Sequence, residues 1–328
     1  MMSRTTEPSR DRHGPDESRT PPSSAEPDRP RREALQTLAA GAAAGAGLAF
    51  GGGAFATGTM NPVRNAAEVA ELPRFADRHV LITGATSGIG EATARAFAAE
   101  GATVTFCGRR AELGASVAAS INEAAAAGGS GGGATYVRCD VRDAADVERF
   151  VKEATARVGR LDIAFNNAGS FMPPKELQEL TVAEYLDLVN TNLNGVAYAM
   201  MHELPVMQDA GRGVIVNMAS VAGNRGFGNT PHYCASKHGV IGLTRAVAAA
   251  NAGRNIRVAS LSPLAVDTPM LEASFAYQGI TQEAAAPTFV TPRIMAPVEM
   301  ARAVMFLADP STTYLTGTDL DVTGGQLA

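Results

Sequence analysis

Tyr233 and Lys237 stand four residues apart in "HYCASKHGV", a spacing that sets both side chains on one face of a helix, a turn apart. A free tyrosine titrates near pKa ~10, too high for a base at neutral pH, and a neighbouring ammonium favours the phenolate and lowers that value. The pair therefore predicts a phenol that exchanges a proton under the influence of a lysine. Ser220 closes the apolar run "VIVNMAS" thirteen residues earlier, and its hydroxyl can hold a carbonyl or alcohol oxygen. On spacing alone, a Tyr/Lys pair of this kind also occurs on ordinary helices. His232 and His238 flank it, and surface or supporting positions suit both better than catalysis.

A second feature lies upstream. "TGATSGIG", Thr83 to Gly90, falls between an apolar run and a helical stretch. A helix N-terminus offers unpaired N–H groups and the positive end of a dipole, which suits a pyrophosphate. Gly84 permits the tight turn, Gly88 permits close approach to phosphate, and Gly90 lets helix and strand pack closely. A purely structural turn would carry some of the same glycines.

These residues need a scaffold. From Asp77 onward apolar runs alternate with amphipathic helical stretches, the signature of βαβ units in a parallel sheet. Seven strands are predicted: "HVLITG", "TVTFCG", "TYVRCD", "DIAFNN", "GVIVNMAS", "IRVASLSP" and "DLDV". Right-handed crossovers then give one Rossmann-type, doubly wound α/β sheet with helices on both faces and no second core. The expected division is a disordered region over 1–30, a signal-like segment over 31–56, a linker over 57–74 and the α/β domain over 75–328. A net charge of −5 argues against a nucleic-acid partner. Cys107, Cys139 and Cys234 have neither disulfide arithmetic nor metal spacing, so they read as buried apolar groups.

Thr83-Gly84-x-x-x-Gly88-Ile89-Gly90, then "NNAG" at Asn166 to Gly169 and "YCASK" at Tyr233 to Lys237, resemble the short-chain dehydrogenase/reductase family in order and spacing. The resemblance implies Tyr233 as general acid/base, Lys237 as its modulator and Ser220 as the substrate-positioning donor. It also implies that Asn192, in "NTNLNG", supports a proton-relay water. Cofactor contacts are implied for Gly84, Ser87, Gly88, Ile89, Gly90, Asn167, Tyr233 and Lys237. Asp140 and Val141 match the pair bordering the adenine, although Asp140 also reads as a helix cap in competition with Asp143. Val266 and Thr268 match the segment around the nicotinamide amide, where Leu264 replaces the usual glycine.

The same resemblance bears on which cofactor is used. Gly108 in "FCGRR" stands where family members using NAD carry Asp, and Arg109 and Arg110 follow. A guanidinium beside an absent carboxylate favours a 2′-phosphate, so NADP is expected with NAD as the alternative, and Arg109 as the contact. Arg110 reads either as a second contact or as a solvated charge. The expected reaction interconverts a small-molecule carbonyl and an alcohol, a non-catalytic NADP-binding sensor being the competing class. Leu271 to Pro292, with Phe275, Tyr277 and Phe289, is expected as a lid hinged at Gly279. Phe171, Met172 and the loop from Ala222 to His232 should complete the pocket. Family members pack as homotetramers or homodimers, and "VIGLTRAVAAANA" has the residues for such packing.

One stretch points elsewhere. Arg31-Arg32, followed by Glu33, Ala34 and Leu35, resembles a bacterial twin-arginine export signal, with cleavage expected after Ala56. Its glycines make a stable membrane span unfavourable. Export of a folded, cofactor-loaded enzyme would reconcile the signal with a soluble cofactor; an uncleaved anchor and a cytoplasmic enzyme with a disordered extension are the alternatives.

Overall fold

The computed structural model describes residues 74–128 and 132–328. The disordered region, export signal and linker expected from the sequence all fall outside the described residues. The seven strands are β1 (His79–Thr83), β2 (Thr103–Gly108), β3 (Ala134–Arg138), β4 (Ile163–Asn166), β5 (Gly213–Met218), β6 (Ile256–Pro263) and β7 (Asp319–Val322). They form one parallel sheet in the order β3-β2-β1-β4-β5-β6-β7. The order reverses between β1 and β4, and at such a switch point the strand ends open into a ligand crevice.

Helices cover both faces. They are α1 (Gly88–Ala99), α2 (Ala111–Gly128), α3 (Ala144–Val158), α4 (Val182–Val189), α5 (Gly195–Ala210), α6 (Pro231–Asn251), α7 (Pro269–Gln278), α8 (Gln282–Ala285) and α9 (Pro297–Ala308). One apolar cluster joins α1 and α9 to the sheet through Phe97, Phe106, Phe165 and Met300. The other joins α3, α5 and α6 through Leu81, Phe150, Met200 and Val240. Strands buried on both faces need continuous apolar runs, and β1 and β6 are buried at every position.

Local signals set the boundaries. Asp143, not Asp140, caps α3, its carboxylate accepting from the Ala145 and Asp146 N–H groups. Thr181 and Glu184 form a reciprocal capping box on α4. Along α6, Val240, Ile241 and Ala248 are buried within the chain, so part of the face expected for subunit packing serves the internal core. All three cysteines are free and buried, as expected. No described helix is long and apolar enough to cross a membrane.

Candidate active site

The turn after β1 is shaped by close contacts. Gly84 has φ +71°, in the left-handed region that favours glycine, and an added Cβ would lie 2.6 Å from Ala168 Cα. Gly88 has φ +60°, and a Cβ there would lie 3.1 Å from Thr268 Cγ2. Asn167 fastens the turn from β4: its Nδ2 donates to the carbonyls of Thr83 and Gly84 at 3.1 and 3.0 Å. Thr83 Oγ1 accepts in return from the N–H groups of Asn167 and Ala168. Ser87 stands at the N-cap of α1 and makes no capping bond with its side chain.

The predicted catalytic group comes together at the far end of the same crevice. Ser220 follows β5 and is nearly buried, its Oγ accepting from Ala222 N–H. Pro231 starts α6, a position where the missing N–H costs nothing, and so fixes Tyr233 and Lys237 on the first turns. The Lys237 Nζ lies 5.8 Å from the Tyr233 ring centroid and donates to Met218 O at 2.8 Å. Asn192 lies in a five-residue π turn, Asn190–Asn194, between α4 and α5. Its Oδ1 accepts from Ser170 N–H at 2.7 Å and its Nδ2 donates to Ser170 O. A Cβ on Gly169 would sit 3.4 Å from Asn192 Oδ1 and 3.9 Å from Lys237 Nζ, so loop, amide and ammonium converge.

The electrostatics correct one expectation. Lysine proximity was expected to lower the tyrosine pKa, but burial raises it, with the Ser220 hydroxyl as the opposing influence. Burial acts on Lys237 as well and brings it down to about 8. Partial burial of Tyr233 and full burial of Lys237 each disfavour the charged form, so at neutral pH Tyr233 is a phenol able to give a proton.

A cavity of about 700 Å³ joins the two ends, lined by Gly88 and Ile89 at one and by Ser220, Tyr233 and Lys237 at the other. Asp140, Val141, Asn167, Val266 and Thr268 all line it. The Asp140 carboxylate is paired with Arg142, which holds it below its ordinary pKa. Arg142 also reaches Asp187.

Gly108, Arg109 and Arg110 border the adenosine end. Gly108 packs closely on Thr86, whose Cγ2 would lie 2.7 Å from an added Cβ, so a side chain there would need Thr86 to shift. Arg110, left open by the sequence, proves to be part of the site. Its Nη2 donates to Thr86 Oγ1 at 2.8 Å and to Ser87 Oγ at 2.6 Å. The cradle fits a dinucleotide: glycine-lined backbone at a helix N-terminus, two guanidinium groups beside it, and room for a second ring near Tyr233.

The substrate side differs from expectation in detail. Met270, Ser274 and Gln278, four residues apart, turn one face of α7 toward the cavity, with Leu271 beside them. Phe275 is buried, Tyr277 is exposed, and neither they nor Phe289 nor Met172 line the cavity. The helix period decides this, since composition alone carries no direction. Gly279 does end α7 in a left-handed conformation, φ +67°. Among the described residues no group of three His, Cys, Asp or Glu side chains is placed to hold a metal ion.

Comparison with known proteins agrees with this geometry. Residues 84–326 match a family model described as enoyl-(acyl carrier protein) reductase. The chain is 42% identical over 205 residues to 3beta-hydroxysteroid dehydrogenase of Mediterraneibacter gnavus, covering 62% of this chain and 72% of that protein. It is 39% identical to cis-4-hydroxycyclohexanecarboxylate dehydrogenase of Sinomonas cyclohexanicum, over 77% of this chain and 98% of that one. The crystal structure of levodione reductase superposes with a TM-score of 0.74 at 37% identity, covering 77% and 99% of the two chains. The chain belongs to the short-chain dehydrogenase/reductase family, and with it goes a nicotinamide cofactor and oxidoreductase chemistry.

Proposed function

We propose that the protein is an NADP(H)-dependent oxidoreductase interconverting a ring-borne ketone and its secondary alcohol. One observation carries the reading: a single cavity runs from the N-terminus of α1 and the neighbouring Arg109 and Arg110, which follow β2, to Ser220, Tyr233 and Lys237. The bound nicotinamide would supply or accept the hydride. Gly84, Gly88 and Ile89 would hold the pyrophosphate at the helix terminus, and Val266 and Thr268 the nicotinamide end. Ser220 Oγ donates a hydrogen bond to the substrate oxygen, and Tyr233 gives that oxygen its proton in the reducing direction. Lys237, anchored on Met218 O, fixes the face of α6 that presents the tyrosine.

The NADP preference is supported by two features: position 108 carries no carboxylate, and the guanidinium-bearing Arg109 and Arg110 line the cavity beside it. Arg109→Glu and Arg110→Glu should each raise KM for NADPH at least ~10-fold, the scale of a lost charge-assisted contact, and Arg109→Glu should leave KM for NADH nearly unchanged. Steady-state kinetics with both cofactors checks this. An unchanged NADPH KM in both variants would favour the NAD-dependent reading instead.

The substrate class follows from the other end. Phe171, Phe227, Met270 and Leu271 supply an apolar wall, with Asn229 and Gln278 as polar points. The charged lining residues are Arg109, Arg110, Asp140 and Lys237, none of them on this wall. Relatives with ring alcohols in their names include the cis-4-hydroxycyclohexanecarboxylate, cyclohexanol and 2,5-dichloro-2,5-cyclohexadiene-1,4-diol dehydrogenases. A neutral cyclohexanone should therefore exceed its 4-carboxylate in kcat/KM by at least ~10-fold, because the wall offers no cation to a buried carboxylate. NADPH oxidation against the two ketones measures the ratio.

A further inference from the structure

Below the crevice lies a buried acid that the reaction does not use. Glu203 projects from α5 at a position with no solvent exposure. Its Oε2 accepts from Asn166 Nδ2 at 3.1 Å, and the same amide donates to Asn217 Oδ1 at 3.1 Å. Asn217 Nδ2 passes the chain on to Thr244 Oγ1 at 3.0 Å and touches Met200 Sδ. Two buried acceptors in this network, Glu203 Oε1 and Asn166 Oδ1, have no donor. A buried acceptor without a donor is unfavourable, so a network short of two donors calls for a proton. The carboxylic acid form of Glu203 supplies one from within.

The location gives the acid its consequence. Asn166 ends β4 and precedes Asn167, which fastens the phosphate turn through Thr83 and Gly84. Asn217 lies in β5 and precedes Met218, whose carbonyl anchors the Lys237 ammonium. We propose that Glu203, as an uncharged carboxylic acid, is a positioning residue that braces Asn166 and Asn217 and thereby both the cofactor turn and the anchor of Lys237.

The groups in and beside the network are consistent with a neutral acid. Asn166 from β4 bonds it, Asn217 from β5, Thr244 from α6 and Met200 from its own helix extend the network, and the Cys107 thiol from β2, which burial keeps protonated, feels its charge. None is a cation. Burial pushes the carboxyl from 4.5 up to about 7, against the Asn166 hydrogen bond. The sign follows. The folded chain holds a proton that the unfolded chain releases above 4.5, so this group's share of stability is full below 4.5 and is lost as pH rises to about 7.

Full-length enzyme, Glu203→Gln and Glu203→Leu test the proposal by thermal melting from pH 5 to 8, NADPH fluorescence titration and kinetics. The kinetic arm rests on the oxidoreductase reading; melting and NADPH titration do not, so a wild-type enzyme inactive on ketones would sink that reading alone. Wild-type Tm should fall relative to Glu203→Gln by roughly 5 °C or more between pH 5 and 8. Glu203→Leu should weaken NADPH binding and cut kcat at least tenfold with substrate KM little changed, and Glu203→Gln should restore both. Parallel melting profiles for wild type and Glu203→Gln would overturn the neutral acid. A Glu203→Leu enzyme with lowered Tm but wild-type kcat and NADPH affinity would overturn the positioning role. Should that variant not fold, the wild-type and Glu203→Gln profiles still decide the protonation on which the brace depends.

Discussion

Tyr233→Phe should lower turnover by about 10²–10⁴-fold, the usual contribution of a positioned acid or base, while leaving NADPH affinity nearly intact. Phenylalanine fills the same space at the start of α6, so Pro231, Lys237 and the Met218 anchor keep their places. What goes is one O–H group in a cavity it shares with Ser220. The raised tyrosine pKa adds a direction. Carbonyl reduction uses the phenol and should hold across neutral pH, whereas alcohol oxidation needs the phenolate and should quicken as pH rises. Measuring kcat in both directions beside an NADPH titration separates the outcomes. Retained turnover in Tyr233→Phe would remove the mechanism and leave room for a cofactor-binding sensor.

The fold was legible because its signals are local and repeated. Most strands are apolar runs of the length a buried parallel strand needs, and the stretches between them have helical period; β7, "DLDV", is the exception, a partly exposed edge strand. Seven such runs admit few topologies once crossovers are right-handed. The catalytic group was legible for another reason: Gly84 to Gly90, Asn166 to Gly169 and Tyr233 to Lys237 are short motifs, each confined to one turn or one helix face. Contacts that close across the sheet were harder to read. Arg110 bonds Thr86 and Ser87 from more than twenty residues away, and nothing in "FCGRR" tells which arginine folds back. The tyrosine shift went astray because spacing reports a neighbour but not its solvent: burial raises this pKa, and the opposing influence is the Ser220 hydroxyl. For α7 the aromatic residues drew attention, yet the cavity takes Met270, Ser274 and Gln278, a distinction only helical phase supplies. Glu203 had a signal of the same kind. It shares with Met200 and Met207 the buried face of α5, an acidic residue at a core position of the helical period.

Gly90→Ala should abolish measurable NADPH binding and lower stability, although alanine is by about 1 kcal/mol the better helix former. An added Cβ would lie 2.5 Å from Gly84 O, 2.6 Å from Asn167 Nδ2 and 2.8 Å from Ala85 Cα. Two of those atoms are backbone in the turn that must cradle phosphate, so relief of the clash opens the turn itself. Overpacking of this kind costs roughly 1–3 kcal/mol, enough to cancel the propensity gain. The displaced Asn167 would also lose its bonds to Thr83 and Gly84. Gly242→Ala is the matched control: Gly242 is likewise helical, on α6, with nothing within 4 Å of a new Cβ. That substitution should stabilise by up to about 1 kcal/mol and leave NADPH binding alone. If both variants melted higher and bound NADPH equally, the close approach of α1 to β1 would be slack, and the turn could not hold a pyrophosphate as tightly as the proposed function requires.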